Sequence, residues 1–192
     1  MSFTHLHVAS GYSFKYGTTL PDDLVARACE LGMSALALTD RDTLAGAIRF
    51  ATSCKANSIT PIIGVDIEYE NQSRLTLLAT PGSWSSLVRL VTNIKKLNSP
   101  PNSDFFQSNH EYTNNLLLLH GPNSEVSRAL ASRRHDKALA IFNKTRELFK
   151  SQGLECVSHL ESEGIRSTAH AARVLGFARD NDLPALLSNA VR

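Results

Sequence analysis

The residues Ala35-Leu36-Ala37-Leu38-Thr39 form a continuous apolar run that stops at Asp40. A run this short, without polar alternation, fits a strand covered on both faces, as in a parallel sheet flanked by helices. The chain around it keeps to the same scheme, with short strand-like runs alternating with longer amphipathic segments. Thr4–Val8 reads as a first strand, and Pro21 opens a helix with Leu24, Val25, Ala28 and Leu31 on one face and Gly32 at its C-terminal cap. After the Ala35 run, a helix over 43–57 turns Ala47, Ile48, Ala51 and Cys54 inward. Pro61–Val65 and Arg74–Ala79 read as the next two strands, joined in a hairpin-like step through Glu70-Asn71-Gln72-Ser73.

Pro81-Gly82-Ser83 caps an amphipathic helix through Leu87, Val88, Leu90, Val91, Ile94 and Leu97. Residues 98–115, with Pro100-Pro101 and many Asn and Ser, read as a long surface loop. Strand-like sequence resumes at Leu116–Leu119, followed by helices over 124–132 and 136–151, a strand over 154–158, a helix from Ser167 and a last strand over 184–187. About seven strands interleaved with helices define an α/β fold, either a closed ring or an open doubly wound sheet. Both gather their chemistry at the carboxyl ends of the strands, which singles out His5, His7, Asp40, Asp66, His120, His159 and Asn189.

Length and composition fit one domain over 1–192: 192 residues with 42% hydrophobic side chains. There is no long apolar run, and Met1–His5 lacks a signal peptide's basic start, so the expected location is the cytoplasm, with no membrane partner. Cys29, Cys54 and Cys156 are scattered among apolar neighbours and read as small core residues. A formal charge of +2 does not mark a nucleic-acid-binding domain, and the densest basic cluster, Arg128, Arg133, Arg134, His135 and Lys137, reads as a solvated helix junction. The absence of GxxxxGK[ST], GxGxxG and GxSxG excludes P-loop NTPases, ordinary dinucleotide folds and the usual serine hydrolases.

The sharpest local motif is His5-Leu6-His7, because residues two apart on a strand share a face and two imidazoles so placed can grip one divalent cation. In Leu38-Thr39-Asp40-Arg41-Asp42, Asp40 or Asp42 is a candidate ligand, with capping of the following helix by Asp42 or Thr43 the favoured role for Asp42 and Arg41 neutralising the pair. Asp66 and Glu68 alternate on one face of the third strand, as oxygen ligands or as an exposed edge.

Four segments then converge on a family: Phe3–Ser10, Leu36–Asp42, Pro61–Asp66 and Leu183–Arg192. In this order at strand ends they resemble the PHP (polymerase and histidinol phosphatase) domain of bacterial C-family DNA polymerases, the DNA polymerase III alpha subunits and their error-prone relatives. The resemblance implies a distorted seven-stranded (β/α) barrel. In active members the strand ends hold a trinuclear metal cluster that hydrolyses phosphoesters and is associated with 3′–5′ proofreading, while in others the domain survives as a scaffold beside the polymerase core. It also implies the remainder of a polymerase alpha subunit as partner, with DNA reached through that parent enzyme.

The departures from the family pattern carry the functional expectation. HLHVHS has become His5-Leu6-His7-Val8-Ala9-Ser10, and Tyr16 stands where an acid precedes Gly17. Arg41 replaces the histidine of TDH, Asp66 a glutamate and Arg74 a histidine, Pro122 falls near a further Cys or His position, and NDVH reads Asn189-Ala190-Val191-Arg192. Arginine keeps its proton and offers a metal no lone pair. The expectation is therefore a degenerate, catalytically inactive domain with no required cofactor. His5, His7, Asp40 and Asp66 would be the residual ligands for at most a weakly held Zn, Mn or Mg ion, and Arg41, Arg74 and Arg192 would act as charge replacements. An active metal-dependent phosphoesterase and a stand-alone domain binding an anion through those three arginines are the alternatives. The sequence reads as a piece of a larger enzyme or an orphaned domain, without the acids of a polymerase palm.

Overall fold

A computed structural model describes residues 3–191. Six strands form one curled sheet in the order β1 (Ala35–Arg41), β2 (Thr60–Tyr69), β3 (Ser73–Ala79), β4 (Leu116–His120), β5 (Ser151–Val157) and β6 (Ala185–Ser188). β1 and β2 run parallel, β3 is antiparallel to both its neighbours, and β4, β5 and β6 are parallel. The carboxyl ends of β1, β2, β4, β5 and β6 therefore meet the amino end of β3 at one rim. Among the described residues, eight α-helices accompany them: α1 (Pro21–Glu30), α2 (Ala47–Ala56), α3 (Trp84–Ile94), α4 (Ser103–Ser108), α5 (His110–Thr113), α6 (Glu125–Ala131), α7 (His135–Leu148) and α8 (Thr168–Asp180).

The seventh stave is the segment predicted as the first strand. His5 and Val8 accept from the amides of Ala37 and Thr39 at 3.0 and 2.8 Å on the β1 side. On the other side, Val191 N–H donates to His7 O at 2.9 Å and Ala9 N–H to Val191 O at 3.0 Å. Within this segment only Val8 pairs as a β-bridge, with Val191, so the expected first strand is irregular backbone that these bonds hold between the two edges of the curled six-stranded sheet.

Strand parity divides the side chains into two layers. Leu36 and Leu38 pack outward on Val25, Ala28, Phe50 and Cys54. Val65, Ile67, Leu75 and Leu77 pack on Leu87, Leu90 and Val91 of α3 and on Phe106 and Phe149. Leu154 and Cys156 pack on Val126, Leu130, Phe142, Val174 and Phe177. Each Leu, Ile, Val or Phe so buried contributes about 1.5–3 kcal/mol before entropy is charged against it. The alternate residues fill the barrel interior, where space is short: a Cβ at Gly64 would lie 2.6 Å from Leu78 Cδ2 and 2.9 Å from Thr39 Cγ2.

Several sequence expectations change. Residues 98–115 are not one loop: Asn102 accepts from Phe105 N–H at 2.9 Å and caps α4, and Phe106 is fully buried against Tyr69 and Phe149. The second helix starts at Ala47, because Asp42 takes a left-handed φ of 55° and its carboxylate turns to the barrel rim. That helix presents Phe50 inward and leaves Ile48 68% exposed. Leu31 lies past the end of α1 and is exposed, Gly32 takes the positive φ of 66° that favours glycine, and Cys29 is a surface residue. Among the described residues, no helix is long and apolar enough to cross a membrane.

Candidate functional site

Residues that face inward near the rim supply the site. On β2, Gly64 and Asp66 share the inner face, and Asp66 lies in register with Arg41 of β1 and Thr76 of β3. Its side chain is 3% exposed. Asp66 Oδ2 accepts from Arg74 Nε at 2.7 Å, with Arg41 Nε at 3.6 Å and His7 Nε2 at 3.9 Å from the same oxygen. Arg74 enters diagonally from the start of β3; its Nη2 also donates to the Asp66 backbone carbonyl and, at 3.0 Å, to Asp42 Oδ2. Asp42 is fixed from its other oxygen by the amide of Glu68 at 2.8 Å. It thus serves the rim and not the cap of α2.

His7 is held between two carboxylates. Its Nδ1–H donates to Glu155 Oε2 at 2.9 Å, and its Nε2 faces Asp66. Burial alone would lower the His7 pKa, but the charge and hydrogen bond of Glu155, with the charge of Asp66, outweigh burial and Arg41 and raise it above the ordinary value. Arg74 is governed the same way: burial disfavours its charge, and Asp66 and Asp42 more than restore it. Glu155 is the residue the sequence reading missed. It is 2% exposed, faces inward from β5, and leaves Oε1 without a hydrogen-bond partner. A lone carboxylate inside the apolar run Leu154-Glu155-Cys156-Val157 was the available signal.

Asp40 belongs to a different structure. It shares the outward face of β1 with Leu36 and Leu38 and accepts from Ser10 N–H at 2.6 Å, Ser10 Oγ at 2.8 Å and Ser13 Oγ at 2.7 Å. These bonds fix the loop over 10–17, and Ser13 Oγ also accepts from the amide of Arg41 at 2.9 Å. A Cβ at Gly17 would come within 2.0 Å of the Ser10 carbonyl, so this turn closes only around glycine. The loop brings Tyr16 onto Arg41, with the guanidinium carbon 3.3 Å from the ring centroid.

The remaining candidates do not join His7 and Asp66. His5 packs edge-on against Phe3 and lines a crevice with Leu24, Arg27, Leu31 and Met33 over α1, its Nδ1 unpartnered. Irregular backbone between positions 5 and 8 removes the alternation on which a shared face depended. His120 has the parity of Leu116 and Leu118 and points into the helix layer. There its Nε2–H donates to Gln152 Oε1 at 3.0 Å beside Phe142, and burial pushes its pKa down to about 4 despite that bond. His159 bonds the Asn189 backbone carbonyl and lies 4.0 Å from Glu161. Arg192 lies outside the described residues. Among the described residues, no three His, Cys, Asp or Glu side chains are grouped to hold a metal ion.

A curled α/β sheet with buried acids and an imidazole at its carboxyl rim is a barrel-like architecture with its polar groups where such folds gather their chemistry. The PHP domain family model matches residues 5–159, and the chain belongs to that family. It is 47% identical over 93 residues to the error-prone DNA polymerase of Symbiobacterium thermophilum, covering 48% of this chain and 9% of that protein. Over 97 residues it is 49% identical to DNA polymerase III subunit alpha of Bacillus subtilis, covering 47% and 9%. The chain therefore matches about a tenth of the length of these relatives. Its fold is shared with a protein described as a metal-dependent phosphoesterase from Bifidobacterium adolescentis, at TM-score 0.68 and 13% identity, over 99% of this chain and 87% of that one. An amidohydrolase from Chromobacterium violaceum, solved with sulfate and no metal, aligns at TM-score 0.62 and 14% identity over 98% and 87%.

Proposed function

We propose that this chain is a degenerate PHP domain of a C-family DNA polymerase, in which an ion-pair network replaces a phosphoesterase centre and the domain serves as a scaffold for the polymerase core. The observation that carries this reading is the surroundings of Asp66 Oδ2, which has two guanidinium nitrogens and an imidazole nitrogen within 3.9 Å. A metal needs that oxygen's lone pairs, and each arginine supplies fixed positive charge without a lone pair in return. The donor set does not fit a multinuclear cluster. Two guanidinium groups (Arg41, Arg74) and the His7 imidazole, whose protonated form is favoured there, face three carboxylates (Asp42, Asp66, Glu155), so the acids are engaged by neighbours of this chain.

The substitutions also satisfy one another. Arg41 stacks on Tyr16, and Arg74 bridges Asp66 and Asp42, so these departures from the family pattern find partners in other residues of the rim. The polymerase setting is supported by the relatives, whose sequences match this chain over part of its length.

The test is metal content of the purified chain together with turnover of bis(p-nitrophenyl) phosphate in manganese. The expected result is substoichiometric metal, no shift in melting temperature with manganese, and no turnover. Turnover that disappears in His7→Ala would establish the phosphoesterase alternative and end this reading. For the scaffold role, the polymerase core of a relative lacking its own amino-terminal domain is mixed with this chain. Co-elution and a higher core melting temperature are expected, and independent elution with an unchanged core counts against the scaffold.

A further inference from the structure

The basic cluster at the α6–α7 junction has a shape that a solvated junction does not need. Arg128, Arg134 and Lys137 line a cleft of about 240 Å³ with Asn71, Glu125, Ala129 and Ser132. All of residues 131–137 are exposed, and Arg133 stands at the cleft's edge in the turn between the helices. None of Arg128, Arg133, Arg134 and Lys137 takes part in a salt bridge among the described residues. Glu125, the one acid lining the cleft, already accepts from Asn71 Nδ2 at 2.8 Å. Asp136 is exposed beside the cluster and does not line the cleft.

One of these cations is held in place. Arg128 Nη1 donates to Asn71 O at 2.9 Å and its Nη2 to Gln72 O, which ties α6 to the turn between β2 and β3 at the carboxyl rim. A fixed guanidinium loses less side-chain entropy when it takes a ligand than a free one does. Four cations without a carboxylate partner, at or beside a concave polar surface, match a row of phosphates, where each cation that meets a phosphate releases a condensed counterion.

We propose that the cleft formed by Arg128, Arg134 and Lys137, with Arg133 at its edge, contacts the phosphate backbone of DNA. The choice of DNA rests on the polymerase reading above; the cleft is lined by α6, α7 and the β2–β3 turn and shares no residue with the Asp66 network. Contacts of this kind position a strand and carry no sequence preference.

The experiment uses the full chain and fluorescence anisotropy with labelled single-stranded and duplex oligonucleotides across a salt series. Four phosphate contacts predict affinity weakening about 150-fold between 50 and 200 mM salt, and Arg133→Ala/Arg134→Ala/Lys137→Ala reduces that to about 3-fold. Folding of the triple variant is verified by circular dichroism and melting temperature, and Lys95→Ala/Lys96→Ala, at residues that do not line the cleft, is expected to bind as the parent does. The proposal fails if the parent chain does not bind at 50 mM salt, if the triple variant binds equally well, or if the Lys95/Lys96 control loses as much. Polyglutamate of matched charge competing as well as DNA identifies an acidic-protein surface instead and also overturns it. None of these outcomes depends on the metal and turnover measurements, so the two readings fail separately.

Discussion

Removing the Arg74 guanidinium is the most informative single perturbation of the rim. Asp66 has a side chain only 3% exposed, and Arg74 Nε at 2.7 Å is its closest cationic partner. Taking one member from a buried pair costs about 3–5 kcal/mol, because the other charge stays desolvated. Here Arg41 at 3.6 Å and His7 at 3.9 Å remain on the same oxygen and limit the loss, so Arg74→Ala is expected at the lower end, about 3 kcal/mol. Arg74→Met/Asp66→Leu removes both charges and keeps much of the volume, and should regain most of that stability. Asp42 is 41% exposed at its side chain, so water can solvate it once Arg74 is gone. The assay is urea unfolding followed by circular dichroism and by the fluorescence of Trp84, the chain's one tryptophan. A cost below about 1 kcal/mol for Arg74→Ala, or a double variant no more stable than the single, would refute the claim that Asp66 depends on this guanidinium.

Four further outcomes follow from the geometry. His120, with a folded pKa of about 4 against an ordinary 6.5, binds its proton more readily when unfolded, so stability falls as pH drops below about 6.5. Between pH 7 and 4.5 that loss amounts to about 2.5 kcal/mol, and it should be missing from the urea stability curve of His120→Gln. His7 works in the opposite sense: its raised pKa gives stability that is complete below about 6.5 and lost as pH climbs through the folded value, so parent and His7→Gln should converge in alkaline titrations. Gly121→Ala places a Cβ 2.7 Å from Glu155 Oε2 and should cost about 1–3 kcal/mol in melting experiments, whereas Gly176→Ala, with nothing near its added carbon, should stabilise α8. Asp40→Ala should raise amide exchange across residues 10–17 and weaken the Tyr16–Arg41 stacking, seen as loss of protection there but not in β4.

Much of the scaffold was legible because its signals are local. Pro21 and Gly32 bracket α1, the Ala35 run forms β1, and Pro61–Asp66 lies within β2, since these patterns do not depend on distant partners. Asp66 was found because it directly follows the apolar run Pro61–Val65, although β2 continues past it to Tyr69. Parity, once applied, also explains two misplacements: Asp40 shares its face with Leu36 and Leu38, and His120 with Leu116 and Leu118, so both look away from the interior. Glu155 escaped because its partner His7 lies at the far end of the sequence, and no window contains both. The helix at Ser103–Ser108 was hidden by polar composition, although Asn102 and the two phenylalanines at 105 and 106 were the cap and the anchor. His5 and His7 diverge because their segment bonds to both neighbours without adopting regular extended geometry.

The join between Val8 and Val191 brings together residues separated by almost the whole chain. Contacts this distant carry the largest chain-closure cost, and assembly that leaves them until last is the economical order. His7 lies inside that join, so its bond to Glu155, 148 residues away, carries the same closure cost, whereas Asp66 is reached from the nearer β1 side. A change that loosens this seam therefore strands the two innermost acids, Asp66 and Glu155, without the imidazole they share.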